Sequence, residues 1–182
     1  MTAAALVQAA AGVGSGWLFW PLLEYAIHGG LSHRWRTFAS PLHWQHHRDP
    51  RAVFTSPLVW VPGTVALGAI ALFALGAVAG TAFTAGTLAG FLHYEYVHWR
   101  FHFRAPRGAR EERLRAHHLA HHYRNPAAYH GVTTRFWDRA LGTLPVESES
   151  DYAKVVDRPP LTGRSNLGRL LPRRAASEES TT

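Results

Sequence analysis

The chain alternates between long apolar runs and short segments dense in histidine and arginine. The first apolar run extends from about Ala3 to His28, and its first charged side chain is Glu24. The second extends from Leu58 to Tyr94, and no Asp, Glu, Lys or Arg falls between Arg51 and Glu95. A spanning helix needs about 20 apolar residues, with a lower limit near 17. The first run is expected to form one span and the second a hairpin of two short ones, turning between Gly76 and Thr84. Gly63, Gly68, Gly76, Gly80, Gly86 and Gly90 would weaken a helix in water but allow close helix packing in lipid. A hairpin buried in a soluble bundle is the alternative, and no amphipathic segment is present to cover it. The expected fold class is all-α: an integral membrane protein with about three membrane helices and a cytosolic helical cap.

Arginine sets the expected topology. Arg34, Arg36, Arg48 and Arg51 follow the first run, and Arg100, Arg104, Arg107 and Arg110 follow the second. The positive-inside rule puts both regions in the cytoplasm. The net charge of +7 arises from these flanks, a pattern of membrane spans and not of a nucleic-acid groove. The N-terminus lacks the cationic start of a signal peptide and reads as an uncleaved anchor. Trp35, Trp44, Trp60 and Trp99 fall near the inner boundary, whereas Trp17 and Trp20 fall inside the first span. Residues 1–146 are expected to form one membrane domain. Residues 147–182 are expected to form a polar, flexible tail with a short helix around Leu167 to Leu171.

There is no cysteine, which excludes thiolate ligands and iron–sulfur clusters. Ten of the thirteen histidines instead form four clusters. His28 and His33 flank Gly29-Gly30, which reads as a break. His43, His46 and His47 form HWQHH, His98 and His102 form HWRFH, and His118, His121 and His122 form HLAHH. Spacings of three and four put side chains on one helix face, so each cluster is expected to aim at a common point. One ion takes four to six ligands, so ten imply two metal ions. Imidazole suits zinc, copper, iron and nickel. Ten ligands exceed the four of a structural zinc site. No pair of helices carries matching Glu-x-x-His motifs, which argues against a carboxylate-bridged bundle. Glu24 and Glu95 stand one helical turn before His28 and His98 and are expected to orient those rings. His93, His117 and His130 are assigned structural or ring-orienting roles. Arg100, Arg104 and Arg107 are expected to serve topology and contact anionic lipid, with a substrate headgroup as the lesser reading. A pH sensor would not need such spacing, and a metal transporter would place its ligands along the spans.

EYAIHGGLSH, HWQHH, HYEYVHWRFH and AHHLAHHYRN, followed by GVTTRFWDRALGT, resemble the fatty acid hydroxylase superfamily of membrane dimetal oxygenases. The likeness runs from about Trp17 to Leu144 and is greatest to fatty acid 2-hydroxylases. It implies a dimetal centre held by His28, His33, His43, His46, His47, His98, His102, His118, His121 and His122. Fe is the expected metal, with Zn able to occupy the site in purified protein, and O2 is the co-substrate. It implies hydroxylation of a fatty acyl chain taken from the bilayer, at C2. Asp138 matches the acid of the FWD motif and is given a structural or ring-orienting role. Eukaryotic relatives often carry a fused cytochrome b5 domain. Such a domain, and one family span, are not expected within these residues. Electrons are therefore expected from a separate cytochrome b5-like or ferredoxin-like protein. His130 replaces the usual aromatic residue before GVT and bears on C2 selectivity. Carotenoid or sterol-type hydroxylases and desaturases share these boxes and are the nearest alternative. Phe103 after His102 favours the acyl-lipid branch.

Overall fold

The computed structural model describes residues 2–35 and 37–167. Among these the chain is helical, with no strand. Helix α1, Ala3–Tyr25, starts on Thr2, whose hydroxyl accepts the Ala5 N–H. It continues without a break into π-helical turns over Ala26–Arg34. Then follow α2 (Ser40–Arg48), α3 (Pro57–Phe103), α4 (Ala109–Tyr123), α5 (Phe136–Ala140) and α6 (Ser148–Ala153).

Helix α3 is two limbs folded at Gly76, whose φ of 76° suits glycine and strains other residues. In a straight helix Ala71 and Gly80 would stand about 13 Å apart. Here a Cβ built on Gly80 would lie 2.5 Å from the Ala71 carbonyl oxygen. Further along the limbs, the Trp60 and Phe91 rings are 5.6 Å apart. The fold lies at the N-terminal edge of the expected turn, where one glycine suffices. Residues 57–75 make a limb roughly 28 Å long.

Helix α1 lies against the second limb at backbone contact. A Cβ on Gly16 would collide with the Phe83 carbonyl oxygen, and one on Gly86 with that of Val13. Thr87 donates its hydroxyl to the Gly16 carbonyl across this seam. Small residues give lipid-embedded helices this approach. The opposite faces are apolar and bare: Phe73 is 94% exposed. Two helices, Ala3–Arg34 and Pro57–Phe103, are long and apolar enough to cross a membrane. Bare apolar surface of this extent fits a bilayer and not the core of a soluble bundle.

The segment after residue 146 departs from its expected solvation. Tyr152 and Val155 are buried with Ala116, Leu119, Ala120, Ala128 and Tyr129 in one cluster. The Tyr152 hydroxyl also bonds His117 Nδ1 at 2.7 Å. Two buried anchors three residues apart hold an otherwise polar stretch. The Leu161 N–H then donates to the His102 carbonyl at 2.7 Å. The short helix expected around Leu167 to Leu171 lies outside the described residues beyond its first position.

Candidate metal centre

The ten clustered histidines converge as two groups of five. His28, His33, His43, His47 and His121 form the first, and His46, His98, His102, His118 and His122 the second. Within each group one nitrogen per ring lies within 4.8 Å of all the others, so each group could hold a metal ion.

The helices deal these rings alternately. Residues four apart differ by about 40° around a helix and those three apart by about 60° the other way. His43 and His47 therefore share the first group while His46, between them, joins the second. His118 and His122 share the second group while His121 joins the first. HWQHH and HLAHH do not each aim at one point, as their spacing suggested. Each helix serves both groups.

His28 and His33 reach one group by a different device from the expected break. The π-helical turns of Ala26–Arg34 bond i to i+5, which stacks residues five apart. Gly29 serves close approach instead, since a Cβ there would lie 2.8 Å from the His130 ring.

The hydrogen bonds define the donor set. His28 Nδ1 lies 2.5 Å from the His130 carbonyl oxygen, and His121 Nδ1 lies 2.7 Å from that of Ala128. A carbonyl only accepts, so each Nδ1 carries the proton and each Nε2 presents a lone pair. The His121 Nε2 lies 3.0 Å from His33 Nε2 and 3.1 Å from His47 Nε2. His43 Nε2 is 3.1 Å from His28 Nε2 and 2.7 Å from His33 Nε2. Separations near 3 Å are what nitrogens about 2.1 Å from one shared ion present at right angles. In the second group, both ring nitrogens of His122 are buried without a hydrogen-bond partner among the described residues. Converging lone pairs and orphaned buried nitrogens both fit a bound cation.

Burial keeps the rings neutral. Desolvation, followed by the neighbouring imidazoles, holds His43, His46 and His122 well below the usual histidine value. Desolvation lowers His47 to about 4. Metal binding requires the unprotonated ring, which these side chains supply at neutral pH.

The carboxylates do other work than expected. Glu24 accepts the N–H groups of Val132 and Thr133 and, at 2.6 Å, the Thr133 hydroxyl. Glu95 accepts the Thr55 N–H at 3.0 Å and its hydroxyl at 2.7 Å. Neither bonds the histidine one turn away. Both glutamates face loops whose N–H donors are otherwise unpaired, and these take the carboxylates. Asp138 is fully buried and accepts from His130 N–H, Gly131 N–H, Thr143 hydroxyl and the His117 ring. His117 thus points away from the groups, between Asp138 and Tyr152. His130 contributes its carbonyl.

Arg100 is buried on Glu111 at 2.6 Å, and Arg104 lies over the Trp99 ring. Arg107 donates its backbone N–H to Glu111. None of the three lines the cavity of about 700 Å³ that opens onto the histidines. That cavity passes His28, His43, His46 and His98 and continues between Trp60, Leu67 and Leu88 of the hairpin.

A helical membrane fold carrying two histidine groups, each able to hold a metal, defines the class. The chain belongs to the fatty acid hydroxylase family, whose model matches residues 13–143. Fatty acid 2-hydroxylase of Macaca fascicularis is 34% identical over 71% of this chain and 38% of its own length. Dihydroceramide fatty acyl 2-hydroxylase FAH2 of Arabidopsis thaliana is 33% identical over 73% of this chain and 60% of its own. Ceramide very long chain fatty acid hydroxylase scs7 of Schizosaccharomyces pombe is 30% identical over 70% and 40% respectively. The chain thus spans less than two thirds of the length of each of these relatives. No solved structure matches it.

Proposed function

We propose that the protein hydroxylates a fatty acyl chain, at C2, using O2 and two iron ions held by the two histidine groups. The observation that carries this reading is the cavity that joins both groups to the apolar interior of the hairpin. Its volume lies within the range of small-ligand sites. Polar residues sit where the cavity meets Asp49 and Arg51, and apolar ones where it enters the hairpin. An amphiphile placed by that polarity has its chain in the hairpin and the carbons nearest its head beside the histidines.

His28, His33, His43, His47 and His121 would hold one iron, and His46, His98, His102, His118 and His122 the other. Two bound irons supply the oxygen chemistry that replaces a C–H bond by C–OH. The chain's own residues do the rest. The carbonyls of Ala128 and His130 keep protons on Nδ1 of His121 and His28, leaving Nε2 to the metal. Trp20, Phe91 and Tyr94 wall the passage and exclude water. Three spans, with the histidines on the cytoplasmic side, accord with the arginine flanks. A separate electron-transfer protein supplies the electrons.

The test is mass spectrometry of acyl lipids from cells expressing the wild type or His121→Ala. A 2-hydroxyacyl species found only with the wild type is expected. Identical lipid profiles in an iron-replete host with a working electron donor would overturn the reading.

A further inference from the structure

The cavity has a polar rim built from two parts of the chain. Asp49 and Arg51 follow α2, and Arg164 and Asn166 come from the segment after Pro159-Pro160. From Pro57 the first limb runs roughly 20 Å to Ile70 at the far end, so rim and hairpin interior are opposite ends of one passage.

The later segment is fastened across the rim. Arg51 Nε donates to the Thr162 carbonyl at 3.2 Å, and the Asn166 N–H donates to the Arg51 carbonyl at 3.0 Å. The Asn166 side chain accepts the Phe54 N–H at 3.0 Å and donates to the Phe54 carbonyl at 2.9 Å. At its start, Leu161 is bonded to the carbonyl of His102. Residues 161–166 therefore form a strap tied to both the second histidine group and the rim. The strap brings Arg164 to the mouth beside Arg51. The sole carboxylate lining this rim among the described residues is Asp49, 3.8 Å from Arg51. That separation, with both side chains about half exposed, leaves the guanidinium able to take another anion.

We infer that Arg51 and Arg164 bind an anionic headgroup, a carboxylate or a phosphate, on the acyl substrate. The strap 161–166 holds Arg164 in place for it. The inference rests on the acyl-hydroxylase reading and narrows its substrate. A dihydroceramide head, as in the name of the Arabidopsis relative, carries hydroxyls and an amide but no charge. A rim with two guanidiniums favours a charged head, since charge-assisted pairs to carboxylate or phosphate are the strong ones.

Trp20 and Trp60 line the passage, so a brominated chain inside it quenches their fluorescence. The full chain in neutral phosphatidylcholine nanodiscs is titrated with dibromostearate, dibromostearoyl lysophosphatidate and dibromostearamide. Saturable quenching is expected with the wild type. Arg51→Gln/Arg164→Gln is expected to weaken an anionic probe about tenfold or more and to leave the amide within about twofold. Arg51→Lys/Arg164→Lys is expected to retain most of the anionic binding. The anionic probe that responds more identifies carboxylate or phosphate as the head. Equal weakening of all three probes, or of none, would overturn the headgroup assignment and leave the hydroxylase reading intact. No saturable quenching of the wild type by any probe would overturn both.

Discussion

His28 Nδ1 meets the backbone carbonyl of His130, 102 residues further along the chain, at 2.5 Å. The same loop gives the Ala128 carbonyl to His121, so one loop orients two rings of the first group. Asp138 pins this loop through the N–H groups of His130 and Gly131, and Glu24 pins it through Val132 and Thr133. Asp138→Asn sets an amide N–H₂ against donors that need an acceptor. It should cost about 2–4 kcal/mol of stability and lower the metal bound per chain. Thermal melting and elemental analysis check both.

The two groups share helices but not ligands. His121→Ala and His118→Ala each remove one nitrogen from a different group. Each is expected to reduce bound metal from about two ions per chain toward one and to abolish detectable hydroxylation. Elemental analysis of the purified variants, alongside circular dichroism to confirm retained helix, reads the outcome.

Backbone contact between α1 and the second limb leaves no room for a methyl group at Gly86. The neighbouring atoms belong to the Val13 backbone and cannot swing aside. Gly86→Ala is expected to cost about 1–3 kcal/mol through overpacking. Gly63 has nothing within 4 Å of a Cβ, and Gly63→Ala should be neutral or slightly stabilising. Melting temperatures in detergent compare the two.

Asp151 gives a pH dependence whose sign can be worked out. The Tyr129 hydroxyl, and behind it the Arg124 guanidinium, hold its carboxyl below the usual aspartate value. A carboxyl lowered by folding stabilises above its unfolded value near 4, and that contribution fades as pH falls through the folded value. Asp151→Asn should therefore cost about 1–2 kcal/mol at pH 7 and much less at pH 3. Unfolding measured at both values decides it.

If the protein hydroxylates acyl chains as proposed, the hairpin end of the cavity sets their length. Leu67→Trp fills part of the space beyond Trp60. It should shift the hydroxylated products toward shorter acyl chains, which lipid mass spectrometry reads directly.

The ten converging histidines are legible in the sequence because imidazole is distinctive and helical spacing is regular. The all-helical class and the apolar limbs are legible for the same reason, since 43 uncharged residues in a row admit few alternatives. The division into two groups is not. It depends on how α2 and α4 are rotated against α3, which packing fixes. The π-helical turns at His28 also escape a pattern based on 3.6 residues. The carbonyls of Ala128 and His130 leave no trace in residue type, because every residue carries one. Glu24 and Glu95 mislead because proximity along a helix signals reach and says nothing of competing donors from distant loops. Tyr152 and Val155 were hidden in a stretch whose average composition is polar.

His46 and His47 are neighbours on α2, and His121 and His122 are neighbours on α4, yet each pair is divided between the groups. Their ring centres lie 6.2 Å and 5.8 Å apart. The spacing between the two histidine groups is thus set in part by peptide geometry at two places. A substitution can remove one ring from a group, but it leaves the chain neighbours that tie each group to the other.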